Sequence, residues 1–299
     1  MMRVVVFASG SSGNCMLVSG ADTHVLIDAG ISMRRTQAAL SQAGLSLHDI
    51  GGVLITHEHS DHICALPMLV RHFRMPVYAP RTVAARLRGM LPEIEPFLQV
   101  IPVGEPFQLG GLRTRAFHTP HDTEESVGYR LEGEGVFAMA TDMGCVTEEV
   151  LSALTGADTA LIESNHDLDM LSYGPYPVSL KRRILSDRGH MSNELCALLA
   201  CELACAGARP IALVSMDNCS RNGSLLRSSV LAVAEEWRIR GFVPDGFLTY
   251  VGDEERVAFP WTMIDKITPR PSEDIADDLE ALGVTGMRKC LTSMGRAQI

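Results

Sequence analysis

The chain reads as an α/β protein in which two β-sheets lie between helical layers, a four-layer α+β sandwich. Three observations point there. Short runs of β-branched and other apolar residues open the chain, too short for helices and bounded by turn residues. From "GVLIT" onward such runs alternate with segments of helical period. The sequence of strands followed by strand–helix alternation then occurs a second time, as expected for two sheets each covered by helices.

Taken in order, "RVVVF", "CMLVS", "THVLID" and "GVLIT" read as strands. "HICALPMLVRHF" has apolar residues at helical spacing, "PVYA" is a strand, and "RTVAARLRGML" is a helix. The middle of the chain is strand-rich, with "LRTRAFHT", "SVGYRL" and "GVFAMAT". A helix "TEEVLSAL", a strand "TALIES" and a basic helical segment "LKRRILSDR" follow. The second half closes with the helix "SNELCALLACELACAG", the strand "PIALVS", the helix "LLRSSVLAVAEEWRIR" and the strand "FLTYV". From about Phe259 the composition turns proline-rich and acidic, so residues 1–258 are expected to form one domain and 259–299 an appended segment.

Bulk properties narrow the function classes. A net charge of −10 argues against a nonspecific nucleic-acid binder and leaves room for a local basic patch. The opening "MMRVVVF" is too short for a signal-peptide core, and no segment reaches the about 18 consecutive apolar residues of a membrane span. Eight cysteines lie scattered without a CxxC pair. Reduced thiols and a cytoplasmic protein without a membrane partner are the expectation.

The chemistry concentrates in "THEHSDH" at residues 56–62, where three of the ten histidines meet two carboxylates. His57 and His59 alternate after a strand, so both imidazoles can project to one side. Asp61 and His62 sit at the turn into the next helix. One divalent metal ion can take His57 and His59, and a second can take Asp61 and His62. Metals paired about 3.5–4 Å apart stabilise both the entering and the leaving oxygen of a displacement. Mixed imidazole and carboxylate donors suit zinc best, with manganese or iron as alternatives. Against this stands a solvated polar loop with chance histidines.

These residues resemble the HxHxDH signature of the metallo-β-lactamase αβ/βα fold. Together with "FASGSSGNCMLV", "LIDAGISMRR", "ESNHDLDML" and "GPYPVSLKRRILSDRGHMSN", they resemble its YycJ/WalJ-like branch, over about residues 1 to 258. That branch is related to the tRNA-maturing RNase Z enzymes and associated with 5′-to-3′ exonuclease activity on DNA. The resemblance implies His121 in "TPHDTEESVGYR" as the third histidine of the first metal site, with His118 as its competitor. It implies Asp142 in "ATDMG" as the carboxylate shared between the metals. It also implies a last histidine on the strand tip after the final long helix, where this chain has Ser215 in "PIALVS". Asp217 is a possible substitute metal ligand, and the second ion is otherwise expected to be weakly held.

His190 precedes Ser192 and Asn193, which read as a helix cap. A histidine there can bind a phosphate oxygen or protonate a leaving oxygen, and it can equally be an ordinary capping-region residue. Lys181, Arg182, Arg183 and Arg188 can line a path for a polyanion, or be a solvated helix face. Asn14, Asn165 and His166 are candidate pocket residues; His24, His48 and His72 read as structural or surface. The expected function is a metal-dependent phosphodiesterase on nucleic acid, with Asp61 or His190 handling protons. The alternatives are a small-molecule hydrolase (thioester, lactone or cyclic phosphate) and a non-catalytic metal-binding descendant.

Overall fold

The computed structural model describes residues 2–206, 211–212 and 222–259. Ser215, Asp217 and residues 260–299 of the expected 259–299 segment lie outside the described residues. The first half contains β1 (Arg3–Ala8), β2 (Cys15–Ser19), β3 (His24–Ile27), α1 (Met33–Gln42) and β4 (Ile50–Leu54). It continues with α2 (Ser60–Ile63), α3 (Leu66–Phe73), β5 (Val77–Pro80), α4 (Arg81–Met90) and β6 (Leu98–Ile101). These six strands form one sheet in sequence order, antiparallel from β1 to β3 and parallel from β3 to β6.

The second sheet is built from β7 (Pro106–Leu109), β8 (Leu112–His118), β9 (Val127–Glu132), β10 (Val136–Ala140) and, after α5 (Glu148–Leu154), β11 (Thr159–Ile162). Its order is β11-β10-β9-β8-β7, antiparallel except for the parallel pair β10 and β11. Then come α6 (Leu168–Tyr173), α7 (Val178–Ile184), α8 (Asn193–Ala206), β12 (Ile211–Ala212), α9 (Asn222–Ile239), α10 (Gly246–Gly252) and β13 (Val257–Ala258), with β12 and β13 pairing in parallel.

The alternation of side chains along each strand makes the layers. On β2, β3 and β4, Leu17, Leu26 and Val53 pack outward against Leu40, Leu69 and Leu87 of the helices. Their neighbours Val18, Val25 and Leu54 face inward onto Tyr129, Leu131 and Met139 of the second sheet. Ala138, Ala140 and Ile162 turn the other way, onto helices α5, α8 and α9. Each of the large side chains so buried contributes roughly 1.5–3 kcal/mol. Helices therefore cover both outer faces, and the sheets share one inner core.

Several elements differ from the reading of the sequence, which names neither α1 nor α6. "FLTYV" is not a strand: it lies in α10, where Phe247 and Val251, one helical turn apart, are buried against the second half's core. Tertiary packing overrides its β propensity. "HICALPMLVRHF" is two helices, α2 and α3, with Pro67 in the first turn of the second. The strand β6 has no alternating pattern to read, with Gln99 and Val100 both exposed, and β7 is only four residues long and begins with a proline.

Candidate metal centre

Both sheets present strand ends at the same rim. The parallel strands β3 and β4 end at Asp28 and at Thr56–His57. In the second sheet β8, β10 and β11 run the same way and lead to His118–His121, Asp142 and Glu163. Crevices outside carboxyl strand ends are where α/β folds place ligands. Asp28 and Asp142 have φ of 60° and 53°, in the left-handed region that costs energy for a residue with a Cβ. The surrounding loops hold both carboxylates in that conformation.

Backbone hydrogen bonds tie the "HSDH" turn to the first loops: Asn14 N–H donates to Asp61 O, and Ala29 N–H to His62 O, each at 2.7 Å. Gly30 sits in this lock, where a Cβ would collide with the Asp61 carbonyl.

Hydrogen bonding settles which ring nitrogens carry protons. Nδ1 of His62 lies 2.8 Å from Oδ2 of Asp28 and donates to it. Nδ1 of His57 donates to the Thr56 hydroxyl at 3.0 Å, and that hydroxyl donates on to Asp28. Nδ1 of His121 lies 3.2 Å from the Gly189 carbonyl and donates to it. Nε2 of His57 and of His121 is left as a lone pair, and Nε2 of His57 lies 3.0 Å from Nδ1 of His59. Burial, reinforced by the neighbouring histidines, holds His57 well below the usual imidazole range, hence neutral. Burial likewise lowers His121. His62 is pushed the other way: burial alone would lower it, but the buried Asp28 and then Asp142 outweigh that and raise it well above its ordinary value.

Three sets of donors converge: His57, His59 and His121; His57, His62 and Asp142; and His121, Asp142 and His190. His57 and His121 have their Nδ1–H groups already spent on fixed acceptors, so their Nε2 lone pairs converge beside Asp142 and suit a cation. The arrangement fits a divalent metal. Asp61 lies beside these sets, its Oδ2 3.5 Å from Nε2 of His62. Asn14 Nδ2 is 3.2 Å from that carboxylate oxygen and 2.9 Å from His62 Nε2.

His190 reaches the same place from the loop before α8, whose first turn is capped by the Ser192 hydroxyl accepting from Leu195 N–H. Its Nδ1 donates to Oε1 of Glu163 at 2.7 Å and lies 3.6 Å from Asp142. Burial would lower its pKa, but Glu163 and Asp142 overcome that and raise it to about 9. The other Glu163 oxygen accepts from Met143 N–H at 3.0 Å. One buried carboxylate thus joins the Asp142 loop to His190.

These groups line a cavity of about 450 Å³ that holds His59, Asp61, His121, Asp142, Glu163 and His190. Asn14, Asn165 and Arg183 line it as well. His118 is elsewhere: it is 57% exposed and faces Glu125 and Glu149. Neither ring nitrogen of His166 finds a hydrogen-bond partner among the described residues, and the residue is not on the cavity wall. Arg183 pairs with Asp122, and Lys181 donates to the Ser172 carbonyl at 2.7 Å. Arg188, exposed at the surface, donates to the His121 and Thr123 carbonyls and so braces the His121 loop.

Reading the sequence for ligand types missed Asp28, Thr56 and Glu163, which bind no ligand position directly but hold the rings that do. The available signal was an acidic residue at the end of an otherwise apolar strand, as in "VLID" and "ALIE".

A family described as the beta-lactamase superfamily domain matches residues 23–211. The exodeoxyribonuclease YycJ of Bacillus anthracis is 37% identical over 235 residues, covering 77% of this chain and 88% of the relative. The exodeoxyribonuclease WalJ of Streptococcus pneumoniae is 34% identical over 193 residues, 63% of this chain and 72% of the relative. Among solved structures, zinc-bound PqqB from Methylobacterium extorquens superposes with a TM-score of 0.60 at 21% identity, covering 78% of this chain and 95% of that one. The metallo-beta-lactamase fold protein YhfI from Bacillus subtilis gives 0.57 at 15% identity, covering 78% and 93%. With two sheets between helices and a histidine–aspartate cluster at their shared rim, the chain belongs to the beta-lactamase superfamily and has the metallo-β-lactamase fold.

Proposed function

We propose that this chain is a metal-dependent phosphodiesterase that degrades nucleic acid in the manner of a 5′-to-3′ exonuclease. The observation that carries the reading is the joint presence, in one cavity, of the metal-donor cluster and of His190 oriented by Glu163. The two relatives named as exodeoxyribonucleases support it. His57, His59 and His121 would hold one ion, and Asp61, His62 and Asp142 a second. Zinc or manganese suits these donors. A bound ion supplies Lewis-acid polarisation of a phosphoryl oxygen and eases deprotonation of water.

The remaining work falls to the chain's own groups. Asp61 accepts a proton from the attacking water. His190, protonated through its contact with Glu163, donates to the leaving oxygen or binds a phosphate oxygen. Arg183 and Asn165 orient the substrate's polar groups at the wall. His57 and His62 stay in one tautomer through Thr56 and Asp28, so no reorientation is needed during turnover. The six described cysteines are free thiols, which fits the cytoplasm as the place of action.

The test is digestion of 5′-labelled DNA and RNA with added zinc or manganese, beside bis(p-nitrophenyl) phosphate and a thioester. Stepwise loss from the 5′ end is the expected result. Turnover of the thioester with intact nucleic acid would replace this reading with a small-molecule hydrolase.

A further inference from the structure

Twelve large hydrophobic side chains are exposed among the described residues, and six of them fall between 168 and 185: Leu168, Met170, Tyr173, Tyr176, Val178 and Leu185. Tyr173 is 87% exposed and Tyr176 52%. Helix α7 has no buried residue at all. Isolated apolar side chains on a surface are ordinary, but a concentration of them marks something that binds.

This patch is continuous with the candidate site, because Leu180, Arg183 and Ile184 of α7 line its cavity. It is also stiff. Pro175 and Pro177 flank Tyr176 and fix their own φ. The Tyr176 ring packs over Gly174, where a Cβ would come within 3.1 Å of it. Lys181 bonds the carbonyl of Ser172 and fastens α7 to the end of α6. The apolar side chains are followed by the consecutive cations Lys181, Arg182 and Arg183, in a chain whose net charge is −10.

Exposed aromatic rings next to cations are what single-stranded nucleic acid requires: rings for the bases, cations for the backbone. A duplex hides its base faces, so such rings can hold only bases that have left the stack. We propose that residues 170–183 form a track for single-stranded nucleic acid. Unstacked bases lie on Tyr173 and Tyr176, phosphates face Lys181 and Arg182, and the strand passes Arg183 into the cavity. The proposal rests on the nucleic-acid reading of the site and adds where the strand runs and how it is gripped.

The test is fluorescence anisotropy on the full chain, in chelator to stop digestion, with a labelled single strand and an abasic strand of equal length. The unmodified protein is expected to prefer the base-containing strand at least about 10-fold. Tyr173→Ala and Tyr176→Ala should each weaken its binding by about 5- to 150-fold, the span of one base–aromatic stack. Tyr173→Phe should preserve the preference, since the ring remains. Equal affinity for both strands, or a preference untouched by either alanine, overturns the track. So does light scattering that shows the alanine variants splitting a dimer while strand binding stays the same, which would make the face a contact between copies. Strand preference without any cleavage after metal is restored strikes the hydrolase reading alone. Cleavage without base preference strikes the track alone.

Discussion

His59 brings its Nδ1 to 3.0 Å from Nε2 of His57, in the donor set that His121 completes. His59→Ala is therefore expected to abolish hydrolysis under zinc or manganese alike, beyond the roughly 10–100-fold cost of disturbing a group behind the ligands. Near-normal turnover of any authentic substrate would remove this cluster from the active site. His190 acts differently. His190→Ala should keep the metal content while slowing cleavage by roughly 10²–10⁴-fold, the usual span for a positioned acid or base. Glu163→Gln should reproduce much of that loss, because Glu163 Oε1 holds the Nδ1 proton. If Glu163→Gln is silent while His190→Ala is not, the pairing has no part in the chemistry.

At the scale of elements, the two sheets are joined by more than apolar contact. The Tyr129 hydroxyl on β9 donates to the Ile55 carbonyl just past β4, at 2.6 Å and fully buried. Ile55 immediately precedes Thr56 and His57, so this bond also sets the strand end that carries the cluster. Tyr129→Phe leaves that carbonyl without its donor and should cost about 1–3 kcal/mol in denaturant unfolding, with an unchanged slope. A shift smaller than the error of the extrapolation would mean that water or a backbone shift replaces the bond. Helix α7, which buries nothing, owes its position to its neighbours, through Lys181 on the Ser172 carbonyl and Arg183 on Asp122.

At the scale of the molecule, the chain divides after Ile264, and all described residues precede that point. We propose that the donor cluster needs only this first unit. A chain ending at Ile264 is expected to bind metal and keep the thermal transition of the full protein; loss of either would give the remaining segment a structural role. Ser215, where the family resemblance implies a histidine, bears on metal count. After purification and brief dialysis, metal analysis should give nearer one ion per chain than two, with activity rising when zinc or manganese is returned. Two tight ions would mean that a substitute ligand exists, and Asp217→Ala tests the first candidate.

The sequence by itself determined the class of fold and the metal donors close together in the chain. Strand and helix periods are local properties, and the candidate donors His57, His59 and His62 need only a strand end and a turn to come close together. His121 and Asp142 were legible only through resemblance, because nothing in a short window distinguishes them from His118 or from any aspartate before a glycine. The tertiary structure alone decided the rest. Asp28 and Glu163 act by fixing protons on rings tens of residues away, and a hydrogen bond between such distant positions leaves no local pattern. "FLTYV" became helical because Phe247 and Val251 found a buried surface one turn apart, a preference set by the neighbouring helices rather than by the residues themselves. Arg188 looked like part of a basic face until the fold turned it onto the His121 loop. In each case the deciding contact joins positions far apart in the chain and forms only once the elements that carry them have packed.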